Sequence, residues 1–200
     1  HTRVRGNAFP EDNGKQELYD QDYTLAELFK DSGYATAAIG KWGLGMPNTK
    51  GHPNNQGFDY FFGYLSQHHA HNFYPTFLWR NDIQVGLPNE VKPMGNGHLY
   101  GAGFATKAKV YAPDLFVEEA LEFIDNNKNK PFFMYYATNV PHANNEATLI
   151  NRADGAEVPD LGIYADKPWQ LGAKRHAAMI TRMDSDIGKL MHRLQMHGIE

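Results

Sequence analysis

Gly33-Tyr34-Ala35-Thr36-Ala37-Ala38-Ile39-Gly40-Lys41-Trp42-Gly43-Leu44-Gly45 is the stretch that decides the fold. Tyr34 to Ile39 is short, apolar and rich in small residues, the pattern of a buried strand. Just upstream, Thr24-Leu25-Ala26-Glu27 has the form of a capping box. In that motif the Thr hydroxyl caps one free N–H of a helix and the Glu reaches back to another. Leu25, Leu28 and Phe29 would give this helix an apolar face, and Gly33 can end it in a left-handed cap. The order is therefore helix, glycine, strand, then a Gly-rich turn at the strand's carboxyl end, where open α/β sheets bind ligands.

Outward from this unit, the first 23 residues are polar and broken by Gly6, Pro10 and Gly14, so they read as loop. Residues 46 to 57 read the same way. Phe58 to Tyr64 is an aromatic run with strand character, and Tyr60-Phe61-Phe62 is expected in the core. Thr76 to Arg80 and Ile83 to Val85 flank Asn81-Asp82 as a small hairpin. Residues 86 to 109 look irregular. Pro113 suits a helix's first turn, and Val117, Ala120, Leu121 and Ile124 follow at helical spacing. Pro131 to Ala137 is a second buried strand, running into the polar loop Asn139-Val140-Pro141-His142-Ala143. After loop-like residues 144 to 168, a last helix spans about Trp169 to His197. Its stripe is Ile180, Met183, Ile187, Leu190, Met191 and Leu194, and Gly198 closes it. Helices alternating with buried strands define the class as α/β, with a mostly parallel sheet flanked by helices.

The chain has 200 residues, 42% hydrophobic and 21% charged, which excludes a disordered chain and allows a sizeable core without staples. No apolar run approaches the roughly 20 residues of a membrane-spanning helix, so no membrane partner is expected. Nineteen Lys and Arg against 23 Asp and Glu leave a net charge of −4, which argues against a nucleic-acid partner. Cysteine is absent, excluding a disulfide scaffold, a thiolate zinc site and a cysteine nucleophile within these residues. The chain opens on His1-Thr2-Arg3 and stops at Gly198-Ile199-Glu200, so it is expected to be a piece of a longer one.

Two strands end in loops bearing Lys41 and His142, which places both toward one crevice. A Lys and a His there suit an anionic substrate, the Lys binding charge and the His moving a proton. The plainer readings are a solvated lysine beside a turn and a loop histidine capping a carbonyl. His68-His69-Ala70-His71-Asn72 concentrates three imidazoles in four positions, but without an adjacent acidic or thiol ligand metal binding is disfavoured. Arg80 could pair with a carboxylate or another anionic group of a ligand, or be a surface arginine. Asp184 and Asp186 cannot point the same way on one helix, and read as a solvated face or a local pair.

Gly33 through Trp42 resembles the second signature of the formylglycine-dependent sulfatases of the alkaline-phosphatase superfamily. Pro131-Phe132-Phe133 through Val140-Pro141-His142-Ala143 is similar to that family's His-bearing strand. Ala177-Ala178-Met179-Ile180 through Asp184-Ser185-Asp186-Ile187-Gly188 resembles the helix before its last metal motif. Arg5-Gly6-Asn7 and Tyr23-Thr24-Leu25-Ala26-Glu27-Leu28 fit as well, and the segments follow the family's order. The resemblance implies that residues 1–200 are part of a sulfatase catalytic domain, without its N-terminal nucleophile and metal segment and its C-terminal metal strand. It implies hydrolysis of a sulfate ester by a calcium-polarised formylglycine, with a sulfated carbohydrate or aryl sulfate as substrate. Lys41 matches the lysine that contacts the sulfate, and His142 the histidine that bonds it and protonates the leaving group. Relatives read carbohydrate with loops after the lysine strand, which assigns His69, His71 and Asn72, with Arg80, to substrate binding. Export to the periplasm or medium is the family's usual habit.

The departures are definite. No Cys exists, and Ser32, Ser66 and Ser185 all lack the Pro or Ala and then Arg of the precursor turn. Asp12-Asn13-Gly14 imitates the family's Asp-Asn metal pair but comes too early and has turn chemistry. Gly43 stands where the family often has a second histidine. Nucleophile and calcium ligands are thus expected outside this chain, and the 200 residues alone are expected to be inactive. Rival readings are a phosphodiesterase or phosphonate hydrolase of the same superfamily, and a non-catalytic binding or structural piece.

Overall fold

The computed structural model describes residues 17–94, 101–149 and 155–200. Arg5-Gly6-Asn7, Asp12-Asn13-Gly14 and most of the expected N-terminal loop lie outside the described residues.

Helix α1 (Leu25–Asp31) starts at the anticipated capping box: Thr24 Oγ1 accepts from the Glu27 N–H, and the Glu27 carboxylate accepts from the Thr24 N–H at 2.6 Å. It ends in a full Schellman turn. Gly33, at φ +84°, donates to Lys30 O, and Tyr34 donates to Phe29 O, while the Phe29 and Tyr34 rings meet at 5.0 Å. The buried side is not the one expected. Ala26 is buried and Phe29 stacks on Phe133, but Leu25 and Leu28 are exposed. The helix is rotated so that Ala26 and Phe29, three positions apart, share the face that meets the sheet, and the short Ala26 permits a close approach. Thr24→Ala, which removes the cap and a bond to Gln56 O, is expected to lower stability by about 1 kcal/mol in denaturant unfolding.

Strand β1 (Ala35–Lys41) lies between β2 (Tyr60–Tyr64) and β7 (Phe132–Ala137), parallel to both. The hairpin β3 (Phe77–Arg80) and β4 (Ile83–Gly86) adds antiparallel strands, giving the order β4-β3-β2-β1-β7. Its Asn81, at φ +53°, makes the tight turn the sequence predicts. The expected α/β class with a mostly parallel central sheet flanked by helices is what the chain forms.

Side chains alternate across the sheet. Ala37, Ile39, Phe62 and Tyr64 pack with Phe116, Val117, Ala120 and Ile124 of α2 (Ala112–Asn127). Ala38, Phe61 and Leu65 pack on the other face with Ala26, Trp42 and Phe58. The small residues of β1 let helices approach from both faces. Helix α4 (Leu171–His197) lies on α2 and ends at Gly198 in a left-handed cap.

Four further expectations need correction. The segment 86–109 is not wholly irregular, because β5 (Glu90–Pro93) and β6 (Gly103–Lys107) pair antiparallel in a second sheet. Their charged residues gave no alternation, and the Lys107–Glu90 ion pair at 3.0 Å is a tertiary contact. Strand β7 is only half-buried, with Tyr135 exposed, because it is the edge strand among the described residues. The loop-like segment 144–168 contains a short helix, α3 (Asn145–Thr148), capped by the Asn144 side chain. On α4 the apolar stripe is split: Met179 and Leu190 are buried, but Ile180, Ile187 and Met191 are exposed. The face toward α2 keeps Leu190 and Leu194 of that stripe and adds ion pairs, Arg182–Asp114 at 2.5 Å, Arg193–Asp125, and His197–Asp125 at 2.7 Å. Asp186 makes the expected local pair, with Lys189 at 2.7 Å, although it is itself buried.

Candidate active site

The carboxyl ends of β1, β2 and β7 form one edge of the sheet. Lys41, the last residue of β1, is in register with Tyr64 at the end of β2, and Gly40 with Ala137 at the end of β7. The loop bearing His142 therefore leaves the sheet beside Lys41. The loop after β2, which carries the histidine cluster, covers the same edge. Asn139 Nδ2 donates to Ala70 O at 2.8 Å and joins the two loops, and Tyr64 Oη donates to Asn72 O at 2.7 Å.

Lys41 is half-buried and has no carboxylate partner among the described residues. Burial pushes its pKa down, since the ammonium loses water without gaining an anion. An anionic ligand would restore that balance. His142 is exposed, and its Nδ1 lies 2.6 Å from Ala143 O. A carbonyl only accepts, so Nδ1 carries a proton, and Nε2 is left to exchange one with a ligand.

The other anticipated residues separate into two groups. His71 joins the edge: its ring stacks on His142 with centroids 5.1 Å apart, and its Nδ1 meets the Glu146 carboxylate at 3.0 Å. His69, Asn72 and Arg80 do not join it. His69 is 1% exposed, packed against Tyr64 and Phe77, and burial pushes its pKa down to about 3, so it is a neutral core histidine. Asn72 is fully buried and pins its loop, its Oδ1 accepting from the Tyr74 N–H. Arg80 pairs with Glu119 of α2, donates to Tyr60 Oη at 3.2 Å and covers the Phe62 ring. Its guanidinium is thus engaged on the flank of the sheet. For these three, burial or an internal partner takes the side chain away from a ligand at the edge.

Two residues escaped the sequence reading. Glu146 lies in a segment read as loop, and its contact with His71 spans 75 positions, for which sequence carries no signal. Gln67 takes the space over Gly43: a Cβ built there would fall 1.8 Å from Gln67 Nε2. The place where the resemblance leads one to expect an imidazole therefore holds an amide.

The calcium and the formylglycine implied by the resemblance do not fit the residues in hand. Among the described residues no group of three or more His, Cys, Asp or Glu could hold a metal ion, and the chain has no cysteine.

Parallel strands with a half-buried lysine and the loop of an exposed histidine at their carboxyl edge define the site of this α/β chain. The chain belongs to the sulfatase family, whose model matches residues 5–200. It is 29% identical over 185 residues to N-acetylgalactosamine-6-sulfatase of Canis lupus familiaris, covering 88% of this chain and 30% of that one. It is 31% identical over 134 residues to N-acetylglucosamine-6-O-sulfatase of Bacteroides thetaiotaomicron, covering 66% and 19%. Ps i-CgsB, solved in complex with k-i-k-neocarrahexaose, has the same fold at TM-score 0.64 and 22% identity, covering 99% of this chain and 40% of that one. The chain thus spans about 30% of the length of the first relatives it matches.

Proposed function

We propose that the protein containing this chain hydrolyses a sulfate ester carried by a carbohydrate, in the periplasm or outside the cell. The observation that carries the reading is the half-buried Lys41, without a carboxylate partner among the described residues, beside the loop of His142 on a sulfatase-family sheet. A sulfate ester is anionic, and its leaving oxygen departs as an alkoxide unless it receives a proton. In this reading Lys41 neutralises the negative charge that the sulfuryl oxygens carry, so that a nucleophile can approach, while new charge grows on the leaving oxygen as its bond to sulfur breaks. His142 holds its ring through Nδ1 and gives the Nε2 proton to that oxygen. The attacking group is not among the residues that meet here. The names of the hexosamine sulfatases among the relatives support a sugar substrate, and the net charge of −4 gives no support to nucleic acid.

The test is release of inorganic sulfate by the full-length enzyme from a 6-O-sulfated hexosamine and from nitrophenyl sulfate. Release from both is expected, with none from the 200-residue chain alone. Hydrolysis of a phosphodiester without sulfate release would replace this reading with phosphoryl transfer.

A further inference from the structure

His71, Glu146 and His142 reach the sheet edge from three separate segments. The His71 and His142 rings are nearly parallel, 5.1 Å between centroids and 7° between planes. His71 Nδ1 lies 3.0 Å from one Glu146 oxygen and 3.3 Å from the other. The His71 and Glu146 side chains are only 11% and 15% exposed, so the pair is shielded while His142 is open. In both rings Nδ1 is engaged by an oxygen, and Nε2 is the nitrogen that can gain or lose a proton.

We propose that His71, held by Glu146, is a positioning residue for His142: the stack fixes the plane of the His142 ring, and with it the direction of Nε2. The inference rests on the reading of His142 as the proton donor. Burial pushes the Glu146 carboxyl up, but the hydrogen bond and charge of His71 outweigh it and hold the group below its usual range. The other titratable neighbour is His68, whose ring is 5.7 Å from that of His71 on the same loop. The next carboxylate, Glu157, is bonded to Asn144 Nδ2 and to the Phe73 N–H.

Two variants of the full-length enzyme separate the stack from the contact with Glu146. His71→Phe keeps a flat ring against His142, and His71→Gln keeps a donor for Glu146 but loses the stack. With an alkyl sugar sulfate, the kcat of His71→Gln is expected to fall about tenfold with KM little changed, and His71→Phe to restore most of it. Nitrophenyl sulfate, which needs no acid, is expected to lose little in either variant. If His71→Gln fails to fold by circular dichroism, His71→Asn, which also lacks the ring, takes its place. An undiminished kcat for the alkyl sulfate in the folded variant, or an equal loss on both substrates, with His142→Ala still damaging, overturns this inference alone. If His142→Ala leaves alkyl sulfate turnover intact, the assignment of His142 as the acid falls, and this inference with it.

Discussion

In the full-length enzyme, His142→Ala is expected to lower kcat by about 10²- to 10⁴-fold for alkyl sugar sulfates, the range of a positioned general acid. Nitrophenyl sulfate should lose much less, because its leaving group departs without a proton. Lys41→Ala should damage both substrates to a similar extent, since it removes charge stabilisation and not a proton. Lys41 is half-buried at the end of β1, and the loop of His142 leaves β7 beside it. Burial also lowers the Lys41 pKa, so its positive charge is lost at a lower pH than for a free lysine. Sulfate binding should accordingly weaken toward alkaline pH, and Lys41→Ala should abolish that dependence. Equal loss on both substrates with His142→Ala would make the histidine a sulfate ligand and not the acid.

The largest effect on stability is expected at Gly40. This residue sits inside β1 at φ +116°, directly opposite Gly63 of β2 at φ +148°. A Cβ on Gly40 would fall 2.1 Å from Ala137 O and 2.5 Å from Ala137 C, inside the backbone of β7. A Cβ on Gly63 would fall 1.9 Å from Gly40 O. Three parallel strands therefore meet at a point where no side chain fits. Gly40→Ala combines a strained backbone, about 1–3 kcal/mol, with overpacking of about 1–3 kcal/mol more. That is a large share of the roughly 5–15 kcal/mol by which a domain is stable. A steep fall in Tm or loss of soluble protein is expected. Gly188→Ala on α4, where a Cβ meets nothing within 4 Å, should instead raise stability by about 0.5–1 kcal/mol. An unchanged Tm for Gly40→Ala would mean that β1 and β7 can separate freely. It would also remove the reason for Lys41 and the His142 loop to share an edge.

Much of the architecture was legible because it is written in local chemistry. The capping box at Thr24, the Schellman turn at Gly33, the small apolar run to Ile39, the turn at Asn81 and the first-turn Pro113 each depend on a few adjacent residues. The same holds for Lys41, which follows that apolar run directly. By itself the sequence determined an α/β chain with a lysine and a histidine at strand ends. Everything set by which faces meet was decided by the tertiary structure. Helix α4 has apolar residues on more than one side, and the packing of Leu190 and Leu194 on the core of α2, with the ion pairs to Asp114 and Asp125, selects the face that turns inward. Three histidines within four positions look alike in sequence. Packing against Tyr64 and Phe77 makes His69 a neutral core residue, and Glu146, 75 positions away, gives His71 its carboxylate. The physical reason is range: caps, turns and strand patterns are fixed within a few residues, whereas burial and ion pairing depend on the chain segments that folding brings alongside.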